Sequence, residues 1–112
     1  MTDEAGKYLL VLTNLPDHES ATRLANVLVS KHLAACVNIL GTCTSVYSWQ
    51  DTVQTEPEVP LLIKTHANRF DAVREEIVHS HPYELPEIVA VPIERGLTPY
   101  LDWIASSLDL SR

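Results

Sequence analysis

The order of elements that the sequence predicts, β-α-β-β-α-β with a terminal helix, indicates an α+β domain with the ferredoxin-like split βαβ arrangement. Two observations support that order. Apolar runs alternate with segments of helical period, and proline, glycine or short polar stretches separate them. A chain of 112 residues with 46% hydrophobic residues fits one domain with a real core. Residues 1–112 are therefore predicted to form a single domain, in which the polar residues 1–6 are a disordered tail.

The N-terminal part of the chain predicts a buried strand followed by a helix. Residues 7–13 form a continuous apolar run, which is typical of a strand in the centre of a sheet. Asp17 is placed to cap the following helix, predicted over residues 17–32, with positive charge in its last turn. Its apolar positions repeat at i, i+3, i+4 and i+7. These positions are Ala21, Leu24, Ala25 and Leu28.

A long β-hairpin is predicted over residues 34–65. Its outgoing part is rich in β-branched and aromatic residues. It is expected to bend at Gly41, because no strong turn dipeptide accompanies that glycine. The polar residues 50–52 are the better site for the chain reversal, and residues 59–65 form the returning strand. Pro60 lies inside that strand and requires a position where the ladder needs no N–H donor.

The rest of the chain predicts a second helix, a short strand and a third helix. Asn68 is predicted to cap the second helix, which ends near Ser80 because His81 precedes a proline. The apolar side of this helix comprises Phe70, Val73, Ile77 and Val78. Residues 88–93 form the strand, and Thr98 is predicted to cap the last helix. The apolar residues of that helix are Leu101, Ile104, Ala105 and Leu108.

This arrangement places the helices on one face of the sheet. The opposite face still carries apolar side chains from the first strand, so it needs a partner surface. A chain of this size buries only about two-thirds of its unfolded surface. We therefore expect the chain to associate with copies of itself.

The net charge indicates which partners the chain can bind, and the cysteine content indicates its compartment. A net charge of -7 and a pI of about 5.0 argue against nucleic acid and anionic membranes, because an acidic chain repels phosphates. Cys36 and Cys43 lie about 23 Å apart on a fully extended strand, beyond the reach of a disulfide. Two free thiols, and no apolar run long enough for a membrane helix, predict a cytoplasmic protein that does not enter membranes.

The sequence contains no strong catalytic motif. Its three glycines, at positions 6, 41 and 96, do not form a phosphate-binding loop. There is no Cys-x-x-Cys and no helix motif with two histidines around a glutamate. We therefore expect a protein that is not an enzyme.

The densest group of metal-binding and proton-transferring side chains lies in residues 79–88. Two prolines make this segment a stiff, extended connector. One interpretation is a metal site with an imidazole ligand from His81 or His79 and a carboxylate or thiolate from elsewhere in the chain, such as Cys36 if a second donor meets it. The other interpretation is a helix exit with one exposed and one capping histidine, and Cys36 as a buried, inert thiol. The two histidines point in different directions on a regular helix, which argues against a shared chelate.

Alternation along the hairpin places polar and aromatic side chains on common faces. The returning strand carries Glu56, Glu58 and Lys64 at even-numbered positions, so these side chains should point to the same face. The strand before the reversal carries Tyr47 and Trp49 two positions apart, so they should also point to one face. These side chains are expected either to line a cleft between subunits or to form a sheet face that a neighbouring molecule closes.

Five segments follow one another along the chain: LAACVNI at 33–39, SVYSW at 45–49, EVPLLIKT at 58–65, HPYELPEI at 81–88 and YLDWI at 100–104. Together they closely resemble the CutA family of divalent-cation tolerance proteins. The resemblance extends over nearly the whole chain, from Lys7 to about Leu108, and the combination of segments is highly specific.

The resemblance implies a ferredoxin-like subunit in a tight homotrimer, a PII-like assembly in which hairpin strands pair between subunits. It also implies a cytoplasmic protein for tolerance of copper or another divalent metal ion, without a defined catalytic activity. His81 and Cys36 match positions of the family motif and are the metal candidates, with His79 beside them. A PII-like cleft between subunits would bind a small anionic ligand. The candidate residues for that cleft are Trp49, Glu58, Lys64, Tyr83 and Glu87.

The sequence departs from the family pattern at three places. Ser80 stands where some relatives have a second histidine, which weakens a paired-imidazole site. Gln50 and Asp51 replace a common Glu-Gly and predict a looser reversal, and Pro60 predicts a local interruption of the ladder. The predicted function is divalent-cation tolerance through metal ion binding by a trimer. The alternatives are a PII-like sensor of a small anionic ligand and a structural trimer scaffold for a partner protein.

Overall fold

The computed structural model describes residues 7–110 and has the predicted order of elements. The tail predicted at residues 1–6 lies outside the described residues. The elements are β1 (Tyr8–Leu15), α1 (His18–Ser30), β2 (Cys36–Ile39), β3 (Cys43–Trp49), β4 (Thr52–His66), a 3-10 turn (Ala67–Arg69), α2 (Phe70–Ser80), β5 (Val89–Pro92) and α3 (Thr98–Ser107). The sheet is antiparallel with strand order β2-β4-β1-β5, and β3 also pairs with β4. This is the ferredoxin-like arrangement that the sequence predicts.

The first strand and helix follow the sequence prediction closely. β1 lies between β4 and β5, so an apolar run suits both of its faces. The side chain of Asp17 accepts a hydrogen bond from the Ser20 N–H at 2.8 Å and caps α1. The four predicted apolar positions of α1 are its buried residues. The helix ends two residues earlier than predicted because His32 adopts a left-handed conformation with φ of 59°.

The hairpin is confirmed, but its returning strand is longer than predicted. β4 begins at Thr52 rather than at residue 59, and its first half pairs with β3 while its second half pairs with β2. The bend predicted at Gly41 separates those two partners. The arm formed by β3 and the first half of β4 contributes to an elongated subunit of 50 × 25 × 23 Å.

Two expectations about the hairpin are wrong. The reversal is tight, because Gln50 and Asp51 both adopt left-handed φ values of 53° and 64° and close a two-residue turn between the paired Trp49 and Thr52. Pro60 does not interrupt the ladder. It pairs in register with Asn14 of β1, and its carbonyl accepts a hydrogen bond from the Leu40 N–H at 3.0 Å.

The helix starts also differ from the prediction. Asn68 does not cap α2, because Arg69 occupies that position without a side-chain hydrogen bond. His66 caps the preceding 3-10 turn, and its Nδ1 accepts a hydrogen bond from the Asn68 N–H at 3.1 Å. Thr98 is the first residue of α3, and Leu97 occupies the cap position. Val78 is 56% exposed, because α2 buries only Val73 and Ile77 in the core.

The main core lies between one face of the sheet and helices α1 and α2. A smaller cluster, which includes Tyr8, Ile104 and Leu108, attaches α3. Large apolar side chains remain exposed on the arm and on the edge strand β5. They include Val46, Val53, Val89 and Val91. Within residues 7–110, no helix is long and apolar enough to cross a membrane.

Candidate functional site

A cavity of about 810 Å³ extends along the hairpin arm, from Glu58 at its base to Trp49 beside its turn, and is bordered by the connector that follows α2. We call it the arm cavity. Its lining includes four carboxylate side chains and three aromatic rings. The carboxylates belong to Glu56, Glu58, Glu84 and Glu87, and the rings to Tyr47, Trp49 and Tyr83.

The strand register explains why the arm supplies both kinds of side chain. Ser45 pairs with Glu56, and the alternate positions Tyr47 and Trp49 therefore project from the same face as Glu56 and Glu58. That face meets the connector at Tyr83 and Glu87. Residues that alternate in the sequence thus lie on a common face of the arm in the structure.

Asn14, the penultimate residue of β1, joins the two sides of the cavity. Its Nδ2 donates to Glu58 Oε1 at 3.3 Å and to Glu87 Oε1 at 3.1 Å. Its backbone carbonyl accepts from Nε2 of His81 at 2.6 Å. One residue therefore links β1, β4 and the connector. The sequence gives no signal for this role of Asn14 beyond an amide side chain at the end of an apolar run.

His81 uses both of its ring nitrogens in hydrogen bonds. Nε2 must donate to the Asn14 carbonyl, and Nδ1 accepts from the Tyr83 N–H at 3.2 Å. This pattern requires a neutral imidazole with its proton on Nε2. The residue is 8% exposed, and its ring lies 4.5 Å from that of Tyr83, measured between centroids. His81 therefore holds the connector against β1.

The Tyr83 phenol lies in the cavity lining with Glu58. Burial, the largest cause, and the neighbouring Glu58 carboxylate together raise the pKa of Tyr83 to about 12.

Four of the five residues predicted for a ligand cleft line the arm cavity: Trp49, Glu58, Tyr83 and Glu87. Lys64 does not. It has the same parity as Glu58 but lies six residues further along β4, about 20 Å away at strand spacing. Its Nζ is instead 5.7 Å from the centroid of the Tyr100 ring.

The three predicted metal ligands do not converge within one chain. Cys36 pairs with Lys64 at one end of β4, whereas His81 binds the Asn14 carbonyl, opposite Pro60. These positions are about 13 Å apart along the strand, far beyond the roughly 2 Å that separates a metal ion from each ligand. His79 is exposed in the last turn of α2.

No group of three or more metal-ligating side chains occurs among residues 7–110. The ring nitrogens of His81 are both engaged, and the carboxylates of the arm cavity do not form such a group. The donors of a single chain therefore do not fit a complete metal centre.

A family model described as CutA1 divalent ion tolerance protein matches residues 9–107. The divalent-cation tolerance protein CutA of Thermus thermophilus is 45% identical over 95 residues, which cover 85% of this chain and 92% of that protein. The chloroplastic protein CutA 1 of Oryza sativa is 41% identical over 99 residues, 88% of this chain. The match spans 56% of the rice protein, so the chain corresponds to little more than half the length of that relative.

Solved structures show the same likeness. The crystal structure of CutA from Xylella fastidiosa has a TM-score of 0.89 and 41% identity, covering 92% of this chain and 99% of that one. A structure described as the periplasmic divalent cation tolerance protein CutA from Archaeoglobus fulgidus has a TM-score of 0.88 and 38% identity, covering 90% and 98%.

Proposed function

We propose that this chain, which belongs to the CutA1 divalent ion tolerance family, acts in the tolerance of divalent cations, copper among them, as a non-catalytic homotrimer. The observation that carries the proposal is the family match over residues 9–107. The compartment that we propose is the cytoplasm. Its support is that Cys36 and Cys43 are free thiols, as a reducing compartment favours.

The exposed apolar surface of the arm supports association between copies. Val53 is 74% exposed and Val46 is 66% exposed on a projecting hairpin, which is unfavourable for an isolated subunit in water. Burial of one such side chain stabilises an assembly by roughly 1.5–3 kcal/mol. Analytical ultracentrifugation at micromolar concentration tests this part of the proposal, and a monomer contradicts it.

For copper, we propose donors from more than one chain, because residues 7–110 of one chain do not bring three donors together. His79 is exposed and suits such a shared site, with Cys36 as a soft donor. His81 has two satisfied ring nitrogens, so copper binding to it requires the loss of one hydrogen bond.

Calorimetry with Cu(II) tests direct metal binding. The expected result is that His79→Ala or Cys36→Ser weakens copper affinity at least about tenfold, a change of about 1.4 kcal/mol. His18→Ala and Cys43→Ser are the matched controls and should leave the affinity unchanged. His81→Ala separates the two roles of that histidine: unchanged copper affinity assigns it to structure alone. Equal affinity in all variants contradicts the proposed donors.

A second candidate function is a sensor that binds a small ligand in the arm cavity. The observation that favours it is that Trp49, Glu58, Tyr83 and Glu87 share one cavity. The small anion implied by the resemblance does not suit this cavity within one chain, because its titratable lining residues are carboxylates and phenols. A thermal-shift screen separates this candidate from the first, since a bound ligand stabilises the folded state.

A further inference from the structure

We propose that His66 is an acid-sensitive cap that controls how firmly the C-terminal helix α3 is held. Its ring accepts a hydrogen bond at the start of the 3-10 turn, and protonation of the ring removes that acceptor. The turn carries Arg69, which binds the end of α3. This device goes beyond divalent-cation tolerance and does not depend on metal binding.

The 3-10 turn receives partners for its first two N–H groups from different places. The Ala67 N–H donates to the Lys7 carbonyl at 2.6 Å, which fastens the turn to the residue just before β1. The Asn68 N–H donates to Nδ1 of His66 at 3.1 Å. N–H groups at the start of a helix have no partner within it, so a cap supplies one. Here the cap is an imidazole, where serine, threonine, aspartate or asparagine is usual.

An imidazole cap differs from a hydroxyl or carboxylate cap in its response to pH. Nδ1 accepts a hydrogen bond only when it carries no proton, so the bond from Asn68 requires a neutral His66 ring. Imidazoles in general change charge between about pH 5 and pH 8. Protonation places a ring N–H against the Asn68 N–H, and the turn then loses its cap. Acid therefore opens this contact, and neutral pH closes it.

Charged and titratable groups from the start of β1, the turn and the end of α3 lie near this ring. The Tyr8 ring meets His66 edge-on, with 5.0 Å between the centroids, and Lys7 lines the same small pocket. Arg69 follows on the turn itself. The end of α3 contributes apolar side chains to the pocket, and Asp109 is the acidic residue next to them in the chain. These charges act on the pH at which the cap opens, whereas the loss of the acceptor follows from protonation itself.

Arg69 connects the turn to the ends of two helices. Its guanidinium donates through Nη2 to the Leu108 carbonyl at 2.6 Å, just after α3. It also donates through Nε to the His32 carbonyl at 3.3 Å, close to the end of α1. Because Arg69 is the last residue of the turn, its position depends on the turn being closed. Loss of the His66 cap therefore weakens the hold on the end of α3.

The His32 ring also contacts the end of α3 but responds differently to acid. Its Nδ1 lies 3.1 Å from the Ser107 carbonyl, which can only accept, so Nδ1 must donate. A donor nitrogen keeps its proton in both the neutral and the charged ring. His18 makes the same kind of bond to the Leu40 carbonyl at 3.2 Å. Acid leaves these two contacts in place, so His66 rather than His32 makes the end of α3 acid-sensitive.

Amide hydrogen exchange of the full-length protein, followed by NMR and corrected for the intrinsic effect of pH, tests the device. Between pH 8 and pH 5, exchange of the Asn68 amide should accelerate at least about fivefold, the effect of losing a typical helix cap. The Leu108 and Leu110 amides, which are hydrogen-bonded at the end of α3, should accelerate with it. Unchanged protection of the Asn68 amide across this range would overturn the proposal.

Cap variants assign the response to one histidine. His66→Asn supplies a cap that does not titrate, so the acceleration at the Asn68 amide should disappear. His66→Asp, whose carboxylate also caps, gives the same reading should the first variant fold poorly. His18→Gln is the matched control and should keep the full response of the wild type. An acceleration that persists in the two cap variants would contradict the assignment.

Arg69→Ala separates the cap from its effect on α3. In this variant the Asn68 amide should still respond to pH, because the His66 ring is unchanged. The amides at the end of α3 should exchange faster than in the wild type at pH 8 and should no longer follow the cap. A response of α3 to pH as large as that of the wild type would show that Arg69 does not transmit the change, and would overturn the link to α3.

Discussion

Thr13 and Thr65 make a matched pair for a test of buried hydroxyl groups. Both residues are 0% exposed and lie on neighbouring strands of the sheet. Oγ1 of Thr65 donates to the Leu33 carbonyl at 2.6 Å. Oγ1 of Thr13 has no hydrogen-bond partner among residues 7–110. Replacement of each threonine by valine should therefore change stability in opposite directions.

The magnitudes follow from the two environments. An unpaired buried polar group is unfavourable by about 1–3 kcal/mol, and a methyl group in its place removes that penalty. Thr13→Val should thus raise the free energy of unfolding by about 1–2 kcal/mol. Thr65→Val removes a hydrogen bond and leaves the Leu33 carbonyl without this donor, so it should lower the free energy of unfolding by about 1–3 kcal/mol.

Urea unfolding followed by circular dichroism measures both changes, with all proteins at one concentration because association also contributes to stability. In a thermal scan, each kcal/mol should shift the melting temperature by roughly 4–8 °C for a domain near this size. A destabilised Thr13→Val protein would refute the reasoning. A Thr65→Val protein as stable as the wild type would also refute it, because the paired hydroxyl group of Thr65 would then contribute no more to stability than the unpaired one of Thr13.

Three further predictions concern other parts of the chain. Asp51→Gly should raise the free energy of unfolding by roughly 1 kcal/mol in a urea titration, because glycine adopts the left-handed φ of 64° without strain; a loss of stability contradicts the tight turn. Arg69→Ala should lower it by about 1.5–3 kcal/mol, because the guanidinium donates to the Leu108 carbonyl at 2.6 Å and holds the end of α3; Arg74→Ala, on the surface of α2, is the control. The pKa of Tyr83, raised to about 12, predicts that the unfolded chain loses this proton first as pH rises above 10, so stability falls between pH 10 and 12. Tyr83→Phe should lack that part of the pH dependence, and an unchanged profile contradicts the assignment.

Local periodicity was enough to predict the elements that face the core. The apolar face of α1 matches residue for residue, because burial along one helix is a local property of spacing. The start of β4 was missed because residues 52–58 are polar and lie on the arm, where pairing with β3 rather than burial keeps the strand extended. The exposure of Val78 was missed because the sequence does not reveal how narrow a stripe of α2 the sheet covers.

The arm cavity was predictable in part for the same reason. Alternation in the sequence placed Glu58 and Trp49 on one face, and both border the arm cavity, although the register of β3 with β4 separates them by six positions along the arm. Alternation along a strand shows which face a side chain is on but not how far along the strand it lies. The sequence therefore places Lys64 with Glu58, although about 20 Å separates them. The hydrogen bonds of Asn14 to Glu58 and Glu87 connect residues 44 and 73 positions apart, and no local pattern encodes contacts of that separation.

The chemistry of the arm cavity follows from the place where the sheet ends. Asn14 pairs with Pro60 in the last but one pair of the ladder between β1 and β4, and beyond that ladder the arm pairs, among residues 7–110, with β3 alone. The connector borders the arm cavity, and the His81 imidazole, hydrogen-bonded to the Asn14 carbonyl and to the Tyr83 N–H, fixes its path. Because both bonds require a neutral ring, the histidine adds no positive charge that would offset Glu58. The same contact that makes His81 a poor metal ligand thus leaves the carboxylates of the arm cavity without a positive charge from this histidine.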